Sequence, residues 1–205
     1  MGGYNQFCGL AVALDAVGDR WNLLIIRELL IGPRRFSQLR SGLPGAASNL
    51  LTERLRALED RGLLTRSHDP SRKAVEYALT ATGEGLREPV YALVRWGAQF
   101  MSAGPTQEDL VRGEWVQLAA AALLPNATID PVEPDREGDG RMALTLHADG
   151  IDARAVHLAG APAAILGTLA AVIPLERAGA FGVAIDDDDG VLPALLPAVR
   201  QLSQE

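Results

Sequence analysis

The chain has 205 residues, 48% of them hydrophobic, a length that suits two domains of roughly 100 residues each and a composition that excludes a disordered chain. The formal net charge of −7 is unevenly spread: residues 1–101 hold 13 Lys/Arg against 10 Asp/Glu, residues 102–205 hold 6 against 16, and residues 34–73 hold 9 against 4. No apolar run reaches a membrane span, the N-terminus lacks the basic and apolar stretches of a secretory leader, and Cys8 is the single cysteine, which together predict a protein of the reducing cytoplasm with no membrane partner.

In chain order, a first helix is expected at about Gly9–Ala16, and a second at Arg20–Leu30, capped by Asp19 and stopped by Gly32-Pro33. A short helix at Phe36–Ser41 and the turn Leu43-Pro44-Gly45 lead to a further helix capped by Ser48 and ended by Gly62. Leu63–His68 and Ala74–Leu79 read as strands joined by Asp69-Pro70-Ser71-Arg72-Lys73, with Val75, Tyr77 and Leu79 alternating. Thr80 then caps a long helix to Met101, which Pro89 should kink or break.

Residues 102–106, Ser-Ala-Gly-Pro-Thr, read as a linker between a domain at 1–101 and another at 107–205. The second domain is expected to open with a helix from Thr106 to Leu124, followed by a polar loop, Pro125–Gly140. A hairpin turning at Asp149-Gly150 would pair Ala148 with Ile151, Leu146 with Ala153 and Leu144 with Ala155 on a dry face. The wet face would carry Thr145 opposite Arg154 and His147 opposite Asp152, with His157 facing Met142. A helix opening at Pro162, a helical turn at Pro174, a strand at Phe181–Ile185 and a final helix at Val191–Leu202 complete an α+β chain.

The helix at 49–61 carries the functional expectation. At about 100° per residue, Leu51, Leu55 and Leu58 form a seam, while Asn49, Thr52, Glu53 and Arg56 gather on the opposite side. Asn can read adenine, Arg guanine, Glu can accept from cytosine, and a Thr methyl can meet thymine or its hydroxyl a phosphate. Glu53 would sit at a base edge or pair with Arg56, since phosphates repel it. Ser48 at the helix start, Arg34 and Arg35 before the short helix, Arg66 on the first strand, and Arg72 and Lys73 at the hairpin tip complete a footprint on duplex DNA.

These residues also carry a resemblance. Gly18-Asp19-Arg20-Trp21, Leu23-Leu24-Ile25-Ile26-Arg27-Glu28-Leu29, Gly32-Pro33-Arg34-Arg35-Phe36, Leu51-Thr52-Glu53-Arg54-Leu55 and Tyr77-Ala78-Leu79-Thr80 stand in an order that resembles the HxlR family of winged helix-turn-helix regulators. The resemblance runs over about residues 8–100 and implies a homodimer built from the terminal helices of this domain, reading a two-fold-related DNA operator. Ala46-Ala47-Ser48-Asn49 departs from the family's usual opening of the recognition helix, which bears on the operator sequence and not on the mode of binding. Residues from Leu144 onward resemble a sterol-carrier-protein-like domain, which implies a cavity for an apolar small-molecule effector; a plain spacer or dimer-support domain is the alternative. Some relatives in the resembled regulator family sense oxidants through an N-terminal cysteine, so Cys8 is a redox candidate beside the plainer reading of a small apolar residue.

Asp186–Asp189 lacks the ligand spacing of a calcium loop and reads as a solvated turn, with Asp189 near the start of the last helix. His68, His147 and His157 do not converge as zinc ligands, and no catalytic triad or phosphate loop is present, so neither a metal, a cofactor nor an enzyme is expected. Trp96 reads as interface packing. The overall expectation is a DNA-binding regulator, more a repressor than an activator; a small-molecule carrier with a winged helix that does not bind DNA is the rival.

Overall fold

A computed structural model describes residues 3–69, 74–101, 103–106, 108–131, 140–148 and 155–196. Arg72 and Lys73, the Asp149-Gly150 turn with the expected hairpin partners Ile151, Asp152, Ala153 and Arg154, and the last residues of the final expected helix lie outside the described residues. The chain divides into two compact units, residues 1–90 and 91–205.

The first unit opens with α1 (Gly9–Val17) and α2 (Asn22–Ile31). α2 starts two residues later than expected, because Trp21 occupies the N-cap position in the left-handed conformation (φ +83°) with no side-chain cap. Holding a non-glycine residue there costs about 1–2 kcal/mol. Asp19 therefore does not cap the helix; its carboxylate is taken by Arg54, 2.7 Å away. The Arg20 guanidinium lies 5.0 Å from the centre of the Trp21 ring, within cation–π range.

Next come β1 (Arg34–Arg35), α3 (Phe36–Gly42), α4 (Ser48–Asp60), β2 (Leu64–Asp69) and β3 (Ala74–Leu79). The strands form an antiparallel sheet in the order β1-β3-β2. β1 is absent from the sequence reading because two residues are too few to show alternation. Leu51, Leu55 and Leu58 of α4 are buried with Ile25, Ile26, Leu39, Leu43 and Leu64, so the expected seam is the helix's core face. Each such leucine contributes about 1.5–3 kcal/mol by leaving water.

Thr80 caps α5 (Ala81–Glu84) as expected, accepting from the Gly83 N–H at 3.1 Å, and its hydroxyl donates to the Gly62 carbonyl at 2.6 Å. The expected single helix to Met101 is instead two, α5 and α6 (Arg87–Ala98), parted at Gly85-Leu86. Pro89 is the third residue of α6. First-turn N–H groups have no partner within a helix, so proline is tolerated there and is not the cause of the break. The division between the two units falls inside α6, ahead of the 102–106 segment.

The second unit contains α7 (Gly113–Leu123), β4 (Ala127–Ile129), β5 (Met142–Ala148), β6 (Ala155–Gly160), α8 (Pro162–Leu169), a 3-10 helix (Leu175–Phe181), β7 (Ala184–Asp186) and α9 (Leu192–Leu195). Its sheet is antiparallel in the order β4-β5-β6-β7. One face packs Leu144, Leu146, Val156 and Leu158 against Val116, Ala120 and Leu123 of α7 and Ile165 and Leu169 of α8. Val94 and Ala98 of α6 join this core.

Several details differ from expectation. α7 begins at Gly113, not Thr106: Asp109 accepts from the Thr106 N–H at 2.7 Å and its hydroxyl at 2.8 Å, which folds that stretch into a turn. The same two donors hold the Asp109 carboxyl below the usual carboxylate range. β4 lies inside the expected polar loop, its three residues again too few to read. The hairpin register is displaced by three residues, with Leu146 opposite Val156, Leu144 opposite Leu158 and Thr145 opposite His157. An odd displacement exchanges the faces of β6 and places Val156 and Leu158 in the core instead of the smaller Ala155. His147 accordingly meets Asp130 at 3.0 Å, and His157 meets the Thr145 hydroxyl at 3.1 Å. β7 begins at Ala184, after a left-handed Gly182. At the start of α9 the Asp187 carboxylate accepts from the N–H groups of Val191 and Leu192 at 2.7 and 2.9 Å.

Candidate nucleic-acid interface

α4 follows α3 through a tight turn in which the Ala46 N–H donates to the Leu43 carbonyl at 2.9 Å. Opposite the leucine seam, Asn49, Glu53 and Arg56 are exposed and Thr52 is half-buried. The structure thus brings the four expected reading residues to one outward face. Ser48 does not cap α4: Ala47 is the N-cap residue, and the Ser48 carbonyl accepts from the Thr52 hydroxyl at 2.8 Å. That bond occupies the Thr52 proton, so what Thr52 can offer a base edge is its methyl group, suited to thymine. Glu53 lies 3.6 Å from Arg54 and does not pair with Arg56. Arg56 makes no ion pair among the described residues, which leaves its planar fork available for bidentate contact with a guanine.

The wing sheet places further cations. Its register sets Arg34 and Arg66 on either side of Tyr77, so both project from one sheet face, whereas Arg35 stands opposite Glu76. Arg66 is exposed, and Arg34 and Arg35 are half-buried. The Arg35 backbone N–H donates to Gln38 Oε1 at 2.9 Å, fixing the entry into α3. Arg40, exposed on α3, is a further cation that the sequence reading passed over. Only the positive balance of residues 34–73 hinted at it. Arg54 was also missed, although it lies about 60° from Leu51 on the helical wheel, at the border of the buried seam.

Cys8 is exposed at the N-cap position of α1. Its sulfur makes no capping hydrogen bond of ordinary geometry, yet the backbone N–H groups of Ala11 and Leu10 lower the thiol pKa from its ordinary value.

A helix, a tight turn and an amphipathic second helix, followed by an antiparallel hairpin, make the first unit a winged helix-turn-helix domain. Residues 16–105 match the model of the HxlR-like helix-turn-helix family. The HTH-type transcriptional regulator sll1512 of Synechocystis is 34% identical over 110 residues, which span 53% of this chain and 82% of that protein. The HTH-type regulator MT3179 of Mycobacterium tuberculosis is 44% identical over 92 residues, 43% of this chain and 56% of that protein. Among solved structures, the reduced form of the transcriptional regulator YodB from B. subtilis shares 32% identity over 49% of this chain and 100% of its own, with a TM-score of 0.42. The chain belongs to the HxlR family of HTH-type transcriptional regulators.

Proposed function

We propose that this regulator binds duplex DNA as a homodimer, one α4 in the major groove of each operator half-site, and represses by occupying promoters. The observation that carries the reading is the segregation around α4, with its leucines buried and Asn49, Glu53 and Arg56 exposed. A helix held by an apolar seam and presenting hydrogen-bonding groups outward has the shape and chemistry for base edges. Arg34, Arg35 and Arg66 supply backbone contacts, and Arg72 and Lys73, which follow β2 and precede β3 in the sequence, are assigned to the neighbouring minor groove or phosphates. Dimerisation is supported by apolar side chains in water: Leu10 of α1 is 68% exposed, and Trp96 of α6 is 61% exposed and stacks edge-on with Phe100. Two-fold symmetry sets the recognition helices about 34 Å apart, one turn of B-DNA.

The second unit is the proposed seat of regulation, where an apolar small molecule shifts the spacing of the two recognition helices. A second reading, regulation by oxidation of Cys8, is favoured by the exposure of that thiol and its lowered pKa.

The test is selection of binding sites from a random duplex pool, followed by affinity measurements on selected and scrambled DNA. The expected site is two-fold symmetric, and Arg56→Ala should lose about 1–3 kcal/mol on the selected site and relax preference at one base per half-site. Equal weakening on both duplexes removes Arg56 from base reading. A wild-type protein with no salt-dependent DNA affinity would favour the rival reading of a small-molecule carrier.

A further inference from the structure

The junction between α1 and α2, residues 16–21, touches the recognition element at three points. At the start of that element, the Trp21 ring lies so close to Gly45 that a Cβ there would sit 2.8 Å from it. At the middle of α4, Asp19 Oδ2 accepts from Arg54 at 2.7 Å. At the end, the Ala16 carbonyl accepts from Arg61, the C-cap residue, at 2.7 Å. We propose that this junction is the seat that sets the orientation of α4 for DNA reading, with Asp19 and Arg54 as positioning residues, and that it transmits displacements of α1 to α4.

A leucine seam decides which face of a helix is buried but tolerates small slides and rotations, because apolar contact is non-directional. A charge-assisted hydrogen bond is directional. Arg54 is only 13% exposed, so its bond to Asp19 is sheltered from water, whereas Arg56 two residues on is exposed and makes no ion pair among the described residues. The junction is also incompletely satisfied. Asn22 is fully buried, its Oδ1 has no partner among the described residues, and its Nδ2 reaches the Ala16 carbonyl at 3.5 Å, the same carbonyl that Arg61 holds closely. With Trp21 in a left-handed conformation beside it, strain and an unfilled acceptor meet where α2 begins. Whatever pushes α1, a partner subunit on Leu10 or a modification of Cys8, therefore acts one short loop away from Arg54.

The inference rests on the reading of α4 as the DNA-contacting helix, and its test separates the two. Sites are first selected from a random duplex pool with the wild-type protein; if none emerges, the DNA reading fails and this inference with it. With a selected site in hand, affinities for it and for a scrambled duplex are measured for Asp19→Asn, Arg54→Gln, the double variant, Arg54→Lys and Gly45→Ala, with circular dichroism as the control for folding. Each neutralising variant should lose about tenfold on the selected site and little on the scrambled one, and the double variant should be no worse than the weaker single. Arg54→Lys should restore most of the preference, and Gly45→Ala, which crowds Trp21, should reduce it independently. An unchanged ratio of selected to scrambled affinity alongside a lowered melting temperature, or losses that simply add in the double variant, would overturn the positioning role.

Discussion

Arg54 and Arg56 stand two residues apart on one helix and meet opposite surroundings, because about 200° of rotation separates them. One is sheltered and held by Asp19; the other is exposed and unpaired among the described residues. Cys8 shows the same dependence on place. It stands at a helix start, where unpartnered N–H groups favour a negative sulfur. A lowered pKa leaves more thiolate at any given pH, so alkylation by iodoacetamide should reach half its limiting rate at lower pH in the native protein than in the urea-unfolded chain. Coincident profiles would remove the activation on which a redox role depends.

At the scale of elements, close packing of α5 against the start of β2 is the least forgiving contact. A Cβ on Gly83 would lie 2.0 Å from the Leu63 carbonyl oxygen, so Gly83→Ala must displace backbone and not merely a side chain. Its expected cost is about 2 kcal/mol or more, read as a lower urea midpoint for unfolding of the first unit. A midpoint equal to wild type would mean that α5 shifts freely. What was legible in the sequence follows from how many residues carry each signal. Three leucines spread over two helical turns revealed α4 and its outward face, and alternation over Val75, Tyr77 and Leu79 revealed the wing. Strands of two or three residues carry no period, so β1 and β4 were invisible. The register of β6 was misread because Ala153 and Ala155 alternate as well as Val156 and Leu158 do, and only the filled core distinguishes them. Asp19 was read as a cap because its true partner is 35 positions away in the chain. Local competition misled at Thr106, where a side-chain bond to Asp109 displaces the first turns of a helix.

For the whole molecule, native mass spectrometry of freshly purified protein reads two proposals at once. A dimer is expected, with co-purifying apolar mass released on unfolding if the second unit seats an effector. A monomer would remove the two-fold operator, and a bare dimer would leave the second unit as a spacer. The division of tasks around α4 has one more consequence. Asn49 and Arg56, proposed to face the bases, are not among the side chains that anchor the helix, so exchanging either leaves Leu51, Leu55, Leu58, Arg54 and Arg61 untouched. Duplicated copies of such a gene are free to drift toward new target sites by single codon changes, without first passing through an unstable ancestor.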